Sequence, residues 1–158
     1  MKNKRPANGE PTIRDLLSYQ IGAVAGAMSR GASLRYRDLG ANLGEWRAIA
    51  LLGACETANL VELARRAGLD KAQVSRVVSA LLKRGLVKRA ENLSYGRTMP
   101  LQLTSEGRKL YQALMSAALE RDRAFRSCLS DDELTMFRSA LHKLEIVARA
   151  LAQTSQQA

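Results

Sequence analysis

Residues 60–89 decide the fold, and their sequence is LVELARRAGLDKAQVSRVVSALLKRGLVKR. Apolar residues recur at helical spacing in two segments, which a tight turn at residues 68–70 separates. Asp70, with Gln73 three positions later, matches the capping box that begins a helix, and Gly85 stands where a glycine commonly ends one. A short helix, a turn containing glycine and a second helix together predict a helix-turn-helix unit.

The two faces of the second predicted helix, residues 71–84, differ in chemistry. One face is a continuous apolar stripe of Val74, Val77, Val78, Leu81 and Leu82. The opposite face has short polar and basic side chains, which suit insertion into a DNA groove and contact with base edges and phosphates. We therefore predict DNA contacts from Lys71, Gln73, Ser75, Arg76, Ser79 and Lys83, of which Arg76 is the central base contact. The alternative interpretation is an ordinary solvated helix.

A change of period follows this helix. Residues 86–90 and 98–103 predict two short strands, which a polar loop at residues 91–97 connects. Because Pro100 has no N–H group to donate, we expect its strand to lie at the edge of the sheet. A hairpin directly after the second helix is typical of a winged helix-turn-helix. It makes the alternative, an ordinary solvated helix, less favoured.

Helical periodicity also flanks this central unit. We predict an amphipathic helix over residues 13–29, a further short turn at 34–41, a second helix over 44–54, and a long helix that begins after Thr104. A last helix, from residue 131 to about residue 152, has apolar residues at alternating spacings of three and four: Leu134, Phe137, Leu141, Leu144, Ala148 and Leu151. Such a seam packs against another helix, so we predict a homodimer formed by the terminal helices.

The chain has 158 residues and a formal net charge of +10, from 25 Lys and Arg against 15 Asp and Glu. Residues 60–100 contain nine basic and three acidic residues, so more than half of the net charge lies in about a quarter of the chain. Concentrated positive charge favours a polyanionic partner, because neutralised phosphates release counterions. The alternative is a solvated face on a basic protein.

Several classes of protein find no support in the sequence. One His and two Cys are too few for a usual zinc site or a disulfide scaffold, and we expect Cys55 to be a small core residue of the second helix. No apolar run approaches the roughly 18 residues of a membrane span, and residues 1–11 predict a disordered basic arm on a cytoplasmic protein. No catalytic triad, carboxylate pair or phosphate-binding loop is present, so we predict neither an enzyme nor a cofactor.

The sequence resembles the MarR family of winged-helix transcription regulators. The resemblance covers roughly residues 13–151 and depends on residues 60–64, 70–78, 81–89 and 103–107. It implies a homodimer that is held together by its N- and C-terminal helices and that binds a palindromic operator. It also implies repression, with release by a small aromatic or phenolic effector.

The resemblance assigns further residues. Arg97 matches the arginine that family members insert into the minor groove, but Tyr95 stands where the family commonly has an acid that holds the wing's basic residues. That departure puts an ordered wing in doubt. Met28 and Trp46 are candidate apolar walls of an effector site, and Arg47 is a candidate partner for an anion. The alternative for Trp46 is simple packing in the core.

Together these observations predict a mainly α fold with a small β-hairpin wing (α+β), a winged helix-turn-helix with terminal dimerisation helices. The predicted organisation is a basic arm (1–11), an N-terminal dimerisation region (12–43), a DNA-binding lobe (44–104), C-terminal dimerisation helices (105–152) and a frayed tail (153–158). The predicted function is a sequence-specific, ligand-responsive repressor that binds double-stranded operator DNA. The alternative is a protein-interaction module with only non-specific affinity for nucleic acid, although its second helix lacks the exposed aromatic or aliphatic anchors of a protein interface.

Overall fold

The structure, a computed structural model, describes residues 10–55, 57–90 and 100–154. After a 3-10 turn at Ile13–Asp15, the described elements are α1 (Leu17–Asp38), α2 (Leu43–Cys55), α3 (Leu60–Ala67), α4 (Lys71–Lys83), β1 (Val87–Arg89), β2 (Leu101–Leu103), α5 (Ser105–Arg126) and α6 (Asp131–Thr154). The predicted mainly helical fold with a small antiparallel hairpin is confirmed. The chain divides into two compact units, Met1–Ala117 and Ala118–Ala158.

The first helix is longer than its predicted span. The prediction ended it at residue 29 and placed a separate turn at 34–41, whereas α1 continues without interruption to Asp38. Ala32 and Tyr36, in its last two turns, are buried, and this tertiary packing extends the helix beyond its amphipathic first half. The helix ends at Asp38, and Gly40, two residues later, has a φ of 82° that is accessible to glycine at little cost.

Reciprocal capping boxes begin both helices of the predicted helix-turn-helix. Asn59 Oδ1 accepts from the amide of Glu62 at 2.9 Å, and the Glu62 carboxylate accepts from the amide of Asn59 at 3.0 Å. Asp70 Oδ1 likewise accepts from the amide of Gln73 at 2.7 Å. Between the helices, Gly68 adopts a left-handed conformation with φ of 63° and ends α3. The predicted helix-turn-helix is confirmed at each of these positions.

The hairpin has an additional backbone partner that the sequence did not indicate. β1 and β2 are antiparallel, with Val87 opposite Leu103 and Arg89 opposite Leu101. On the other side of β2, Ala58 and Leu101 exchange two backbone hydrogen bonds of 2.9 and 3.1 Å. β2 is an edge of the two-stranded sheet, as expected, and a single bridge to Ala58 covers its outer side only at Leu101. Pro100 precedes the first residue of β2 and contributes only its carbonyl, which accepts from Ala90, so its missing N–H group is not needed.

Side chains from α2, α3, α4 and α5 form the core of the first unit. Its largest fully buried members are Ile49, Leu52, Leu63, Val74, Leu81 and Leu114. α6, in the second unit, has no buried residue. Among the described helices, none is long and apolar enough to cross a lipid bilayer.

The start of α5 fits tightly against the connection between α4 and β1. Thr104 Oγ1 donates to the Gly85 carbonyl at 2.7 Å and accepts from the Gly107 amide at 3.1 Å. A Cβ atom added at Gly107 would lie 1.9 Å from the backbone oxygen of Leu86. Only glycine fits there without a movement of the backbone.

We expect Gly107→Ala to destabilise the protein by about 3 kcal/mol, because the clash involves backbone and cannot be relieved by a side-chain rotation. Equilibrium unfolding in urea would measure the change. The control is Arg108→Ala at the next, exposed position of α5, where we expect a change within about 0.5 kcal/mol. Equal stability of the two variants would contradict the close approach at Gly107.

Candidate nucleic-acid interface

The face of α4 that was predicted to contact DNA is exposed along its whole length. Its exposed residues are Lys71, Ala72, Gln73, Ser75, Arg76, Ser79 and Lys83. On the opposite face Val74, Val78 and Leu81 are buried, and Val77 and Leu82 are half-buried. The structure thus brings the six predicted contact residues of α4 onto one solvent-facing surface, which we call the α4 face.

The α4 face is electropositive throughout. No acidic residue follows the Asp70 cap within the helix, and Lys71 reinforces the positive end of the helix dipole. Within the described part of the chain, Arg76 forms no hydrogen bond or ion pair, so its guanidinium is available to an external acceptor. A helix N-terminus with adjacent cations suits a phosphate, and a free guanidinium suits a guanine edge.

Gln73 differs from the other members of the α4 face because its side chain already has a partner. Its Oε1 accepts from the backbone amide of Asp70 at 3.3 Å and completes the capping box. A base that bound this oxygen would have to displace the cap, whereas the Gln73 amide nitrogen can donate to a base without loss of the cap. Gln73 therefore suits an acceptor on the base better than a donor.

Other basic side chains lie exposed on neighbouring elements. Arg65 and Arg66 are on α3, and Lys88 and Arg89 are on β1. Arg66 Nη1 donates to the Cys55 sulfur at 2.9 Å. Cys55 is half-buried, so the expectation of a small core residue is wrong, because the end of α2 leaves its sulfur within reach of a surface arginine.

A charged pair at the C-terminal end of α4 is not apparent from the sequence. Arg84, the C-cap of α4, places Nη1 3.0 Å from Glu45 Oε1 and donates from Nη2 to the Gly40 carbonyl at 2.7 Å. Glu45 also forms a capping box with Asn42 at the start of α2. The spacing of Asn42 and Glu45 was a readable signal for the cap, but nothing in the sequence linked Glu45 to Arg84.

The predicted effector residues lie on α1 and α2. Trp46 is half-buried, and its ring centroid lies 5.1 Å from that of the buried Tyr36 at an interplanar angle of 45°. Met28 and Arg47 are exposed. Tyr36 was not singled out from the sequence, because its position in α1 became apparent only when that helix extended past residue 29. An aromatic pair of this kind can stack against a flat ligand, and an exposed arginine can pair with an anion.

Within one chain, the side chains predicted at a dimer interface remain partly or largely exposed to solvent. On α6, Leu134 and Leu144 are half-buried, and Phe137, Leu141 and Leu151 are exposed. On α1, Leu17, Ile21 and Val24 are exposed as well. Single exposed apolar residues are ordinary, but successive exposed residues along two helices are typical of interfaces.

Two predicted features of the wing, Tyr95 and Arg97, lie outside the described residues.

Cys128 is exposed and donates from its sulfur to the Phe125 carbonyl at 3.0 Å. Among the residues that the structure describes, no group of three or more His, Cys, Asp or Glu side chains could hold a metal ion.

Comparisons with known proteins agree with this architecture. The MarR family model matches residues 41–98, and the transcriptional regulator FarR of Neisseria gonorrhoeae is 31% identical over 107 residues, which are 68% of this chain and 73% of FarR. A MarR/EmrR family regulator from Acinetobacter sp. ADP1 has a TM-score of 0.78 and 26% identity, with coverage of 84% of this chain and 94% of that one. The Mycobacterium tuberculosis MarR family protein Rv2887, solved in complex with salicylic acid, has a TM-score of 0.66 and 26% identity, with coverage of 88% and 99%. The chain therefore belongs to the MarR family of winged-helix transcriptional regulators.

Proposed function

We propose that this regulator is a repressor which binds a palindromic DNA operator as a homodimer and releases it when a small aromatic anion binds. The observation that supports DNA reading most directly is the α4 face, which is exposed, basic and free of acids. A protein-binding helix would instead present aromatic or aliphatic anchors, and the α4 face has none. The protein acts on DNA in the cytoplasm and has no catalytic role.

In the proposed complex α4 lies in the major groove. The Arg76 guanidinium donates two hydrogen bonds to a guanine edge, while Gln73 and Ser75 contact neighbouring bases. Phosphate contacts come from Lys71, Ser79 and Lys83, which fix the position of the helix without reading sequence. Arg97, in the wing, enters the adjacent minor groove.

The proposed dimer uses the exposed apolar residues of α1 and α6. A two-fold axis would pair each surface with its equivalent in the second copy and cover side chains such as Phe137 and Leu141. The same axis would relate the two α4 helices and place them about 34–36 Å apart, one turn of DNA. A palindromic operator matches that symmetry.

The proposed effector is a benzoic or phenolic acid that binds beside Trp46 and Arg47. The 5.1 Å pairing of Trp46 with Tyr36 provides an aromatic wall, and Arg47 can pair with a carboxylate. The salicylic acid complex of the relative Rv2887 supports this class of ligand. The effector releases DNA only if it binds the DNA-free dimer more tightly, and a hundredfold loss of operator affinity needs about 2.7 kcal/mol of differential affinity.

Arg76→Ala tests the proposed base contact. On an operator obtained by selection from random DNA, we expect the ratio of specific to non-specific affinity to fall about 5- to 150-fold, because a bidentate base contact contributes 1–3 kcal/mol of discrimination. Arg76→Lys is the control that keeps the charge. It should retain binding to scrambled DNA and lose discrimination at one base pair, and an unchanged ratio in both variants would contradict direct reading by Arg76.

Leu141→Glu tests the dimer. Sedimentation of the wild type should give a species of about twice the 17.3 kDa chain, and the variant should be monomeric because a carboxylate in the apolar interface loses its hydration. Ser139→Glu, an exposed position on the opposite side of α6, should remain dimeric. A monomeric wild type at micromolar concentration would refute the proposal.

Salicylate titration tests the effector site. Trp46 is the single tryptophan of the chain, so its fluorescence reports on this site alone. We expect salicylate to quench that fluorescence and to weaken operator binding over the same concentration range, and Arg47→Met to require more salicylate for both effects. Quenching without release of DNA would indicate a site that has no regulatory role.

A further inference from the structure

Arg84 joins the end of α4 to the corner between α1 and α2. One guanidinium nitrogen contacts Glu45 Oε1 at 3.0 Å and the other donates to the Gly40 carbonyl at 2.7 Å. The planar fork of arginine allows both contacts at once, which the single ammonium of a lysine cannot reproduce. We call Arg84, Glu45 and the Gly40 carbonyl the Arg84 clamp.

One of the two charges in the Arg84 clamp is buried, while the Arg84 side chain is 41% exposed. Glu45 is 6% exposed and is the one buried charged residue among those the structure describes. A buried carboxylate is costly unless it is paired and hydrogen-bonded, and Glu45 has both the Arg84 guanidinium and the Asn42 amide as partners. Loss of the Arg84 guanidinium would therefore leave the buried Glu45 carboxylate without its charged partner.

Backbone hydrogen bonds close the corner that anchors the clamp. The Tyr36 carbonyl accepts from the amides of Leu39 and Ala41, and Gly40 turns the chain between them. Nearby, a Cβ atom added at Gly44 would lie 3.1 Å from Val77 Cγ2, so the start of α2 packs closely on the middle of α4. α4 is thus held at its middle by packing and at its end by the clamp.

We infer that Arg84 is a positioning residue for DNA reading, which sets the angle of α4 through Glu45 and Gly40. This inference depends on the proposed function of the α4 face. Arg76 is eight residues from Arg84, or about 12 Å along a helix, so a tilt of about 10° at the clamp would displace Arg76 by about 2 Å. A displacement of that size breaks a hydrogen bond to a base but leaves general attraction to phosphates intact.

A change of charge in the clamp distinguishes a positioning role of Arg84 from a direct contact between Arg84 and DNA. Glu45→Gln removes a negative charge, so electrostatics alone would strengthen binding to every DNA sequence. The glutamine oxygen can still accept from the Asn42 amide, which keeps the cap of α2 while the ion pair is lost. Positioning therefore predicts the opposite outcome for the operator: weaker specific binding by a more positive protein.

The experiment measures dissociation constants for the selected operator and for a scrambled duplex over a series of salt concentrations. The variants are Glu45→Gln, Arg84→Lys, Arg84→Ala and the double variant Glu45→Gln/Arg84→Ala. We expect each single variant to lower the ratio of operator to scrambled affinity at least fivefold, with a smaller loss for Arg84→Lys than for Arg84→Ala. The double variant should lose no more than Arg84→Ala, because the two residues act as one unit.

A control for the change of charge accompanies these variants. Glu145→Gln removes the same charge from an exposed ion pair with Arg149 on α6 and should leave the ratio unchanged or raise both affinities equally. Partial unfolding lowers both affinities by the same factor, so the ratio is insensitive to a merely structural loss. Arg84→Lys keeps the charge and one of the two contacts, and it provides the test if Glu45→Gln does not fold.

An unchanged ratio in the Glu45→Gln and Arg84 variants would overturn the inference. The inference would also fail if Arg84→Ala lowered both affinities equally and reduced the slope of log affinity against log salt concentration by about one. Arg84 would then be a phosphate contact. Arg76→Ala in the same assay separates the two proposals. If Arg76→Ala loses discrimination while the clamp variants keep it, only the positioning role fails, whereas no loss in any variant removes the proposed reading of DNA by α4.

Discussion

Burial of Val74, Val78 and Leu81 determines which face of α4 meets solvent. A half-turn rotation of the helix would expose these three side chains, at a cost of about 1.5–3 kcal/mol each, and would bury the Arg76 guanidinium without a partner. The side chains that stabilise the first unit therefore also orient the α4 face. The periodicity of the helix places Arg76 opposite the core. In our inference the Arg84 clamp then sets the angle at which α4 presents this face.

Local interactions account for what could be predicted from the sequence. Both helices of the helix-turn-helix begin with capping boxes whose partners are three residues apart, so Asp70 and Gln73 identify each other in the sequence. The buried and exposed sides of α4 follow from helical periodicity in the same way. These short-range rules placed six of the seven proposed DNA contacts on one exposed surface, and the seventh, Arg97, lies outside the described residues.

Tertiary contacts account for the rest. Gly31 costs α1 about 1 kcal/mol of helix propensity, and the prediction ended the helix two residues before it, but burial of Ala32 and Tyr36 extends the helix past this glycine. Arg84 and Glu45 are 39 positions apart, and each residue by itself matches an ordinary helix terminus. β2 contacts Ala58 through a single pair of backbone hydrogen bonds, and no side-chain pattern in the sequence indicates such a pair.

In the proposed dimer, the absence of buried residues in α6 within one chain would make the stability of this helix depend on protein concentration. Apolar residues of α6 that were covered only in that dimer would be stabilised by mass action, so dilution would loosen the helix and dissociate the two copies together. Well below the dissociation constant of the dimer, the amount of binding-competent protein grows with the square of the chain concentration. A twofold change in expression would then alter the amount of the proposed dimer about fourfold, and occupancy of the proposed operator would respond steeply to gene dosage.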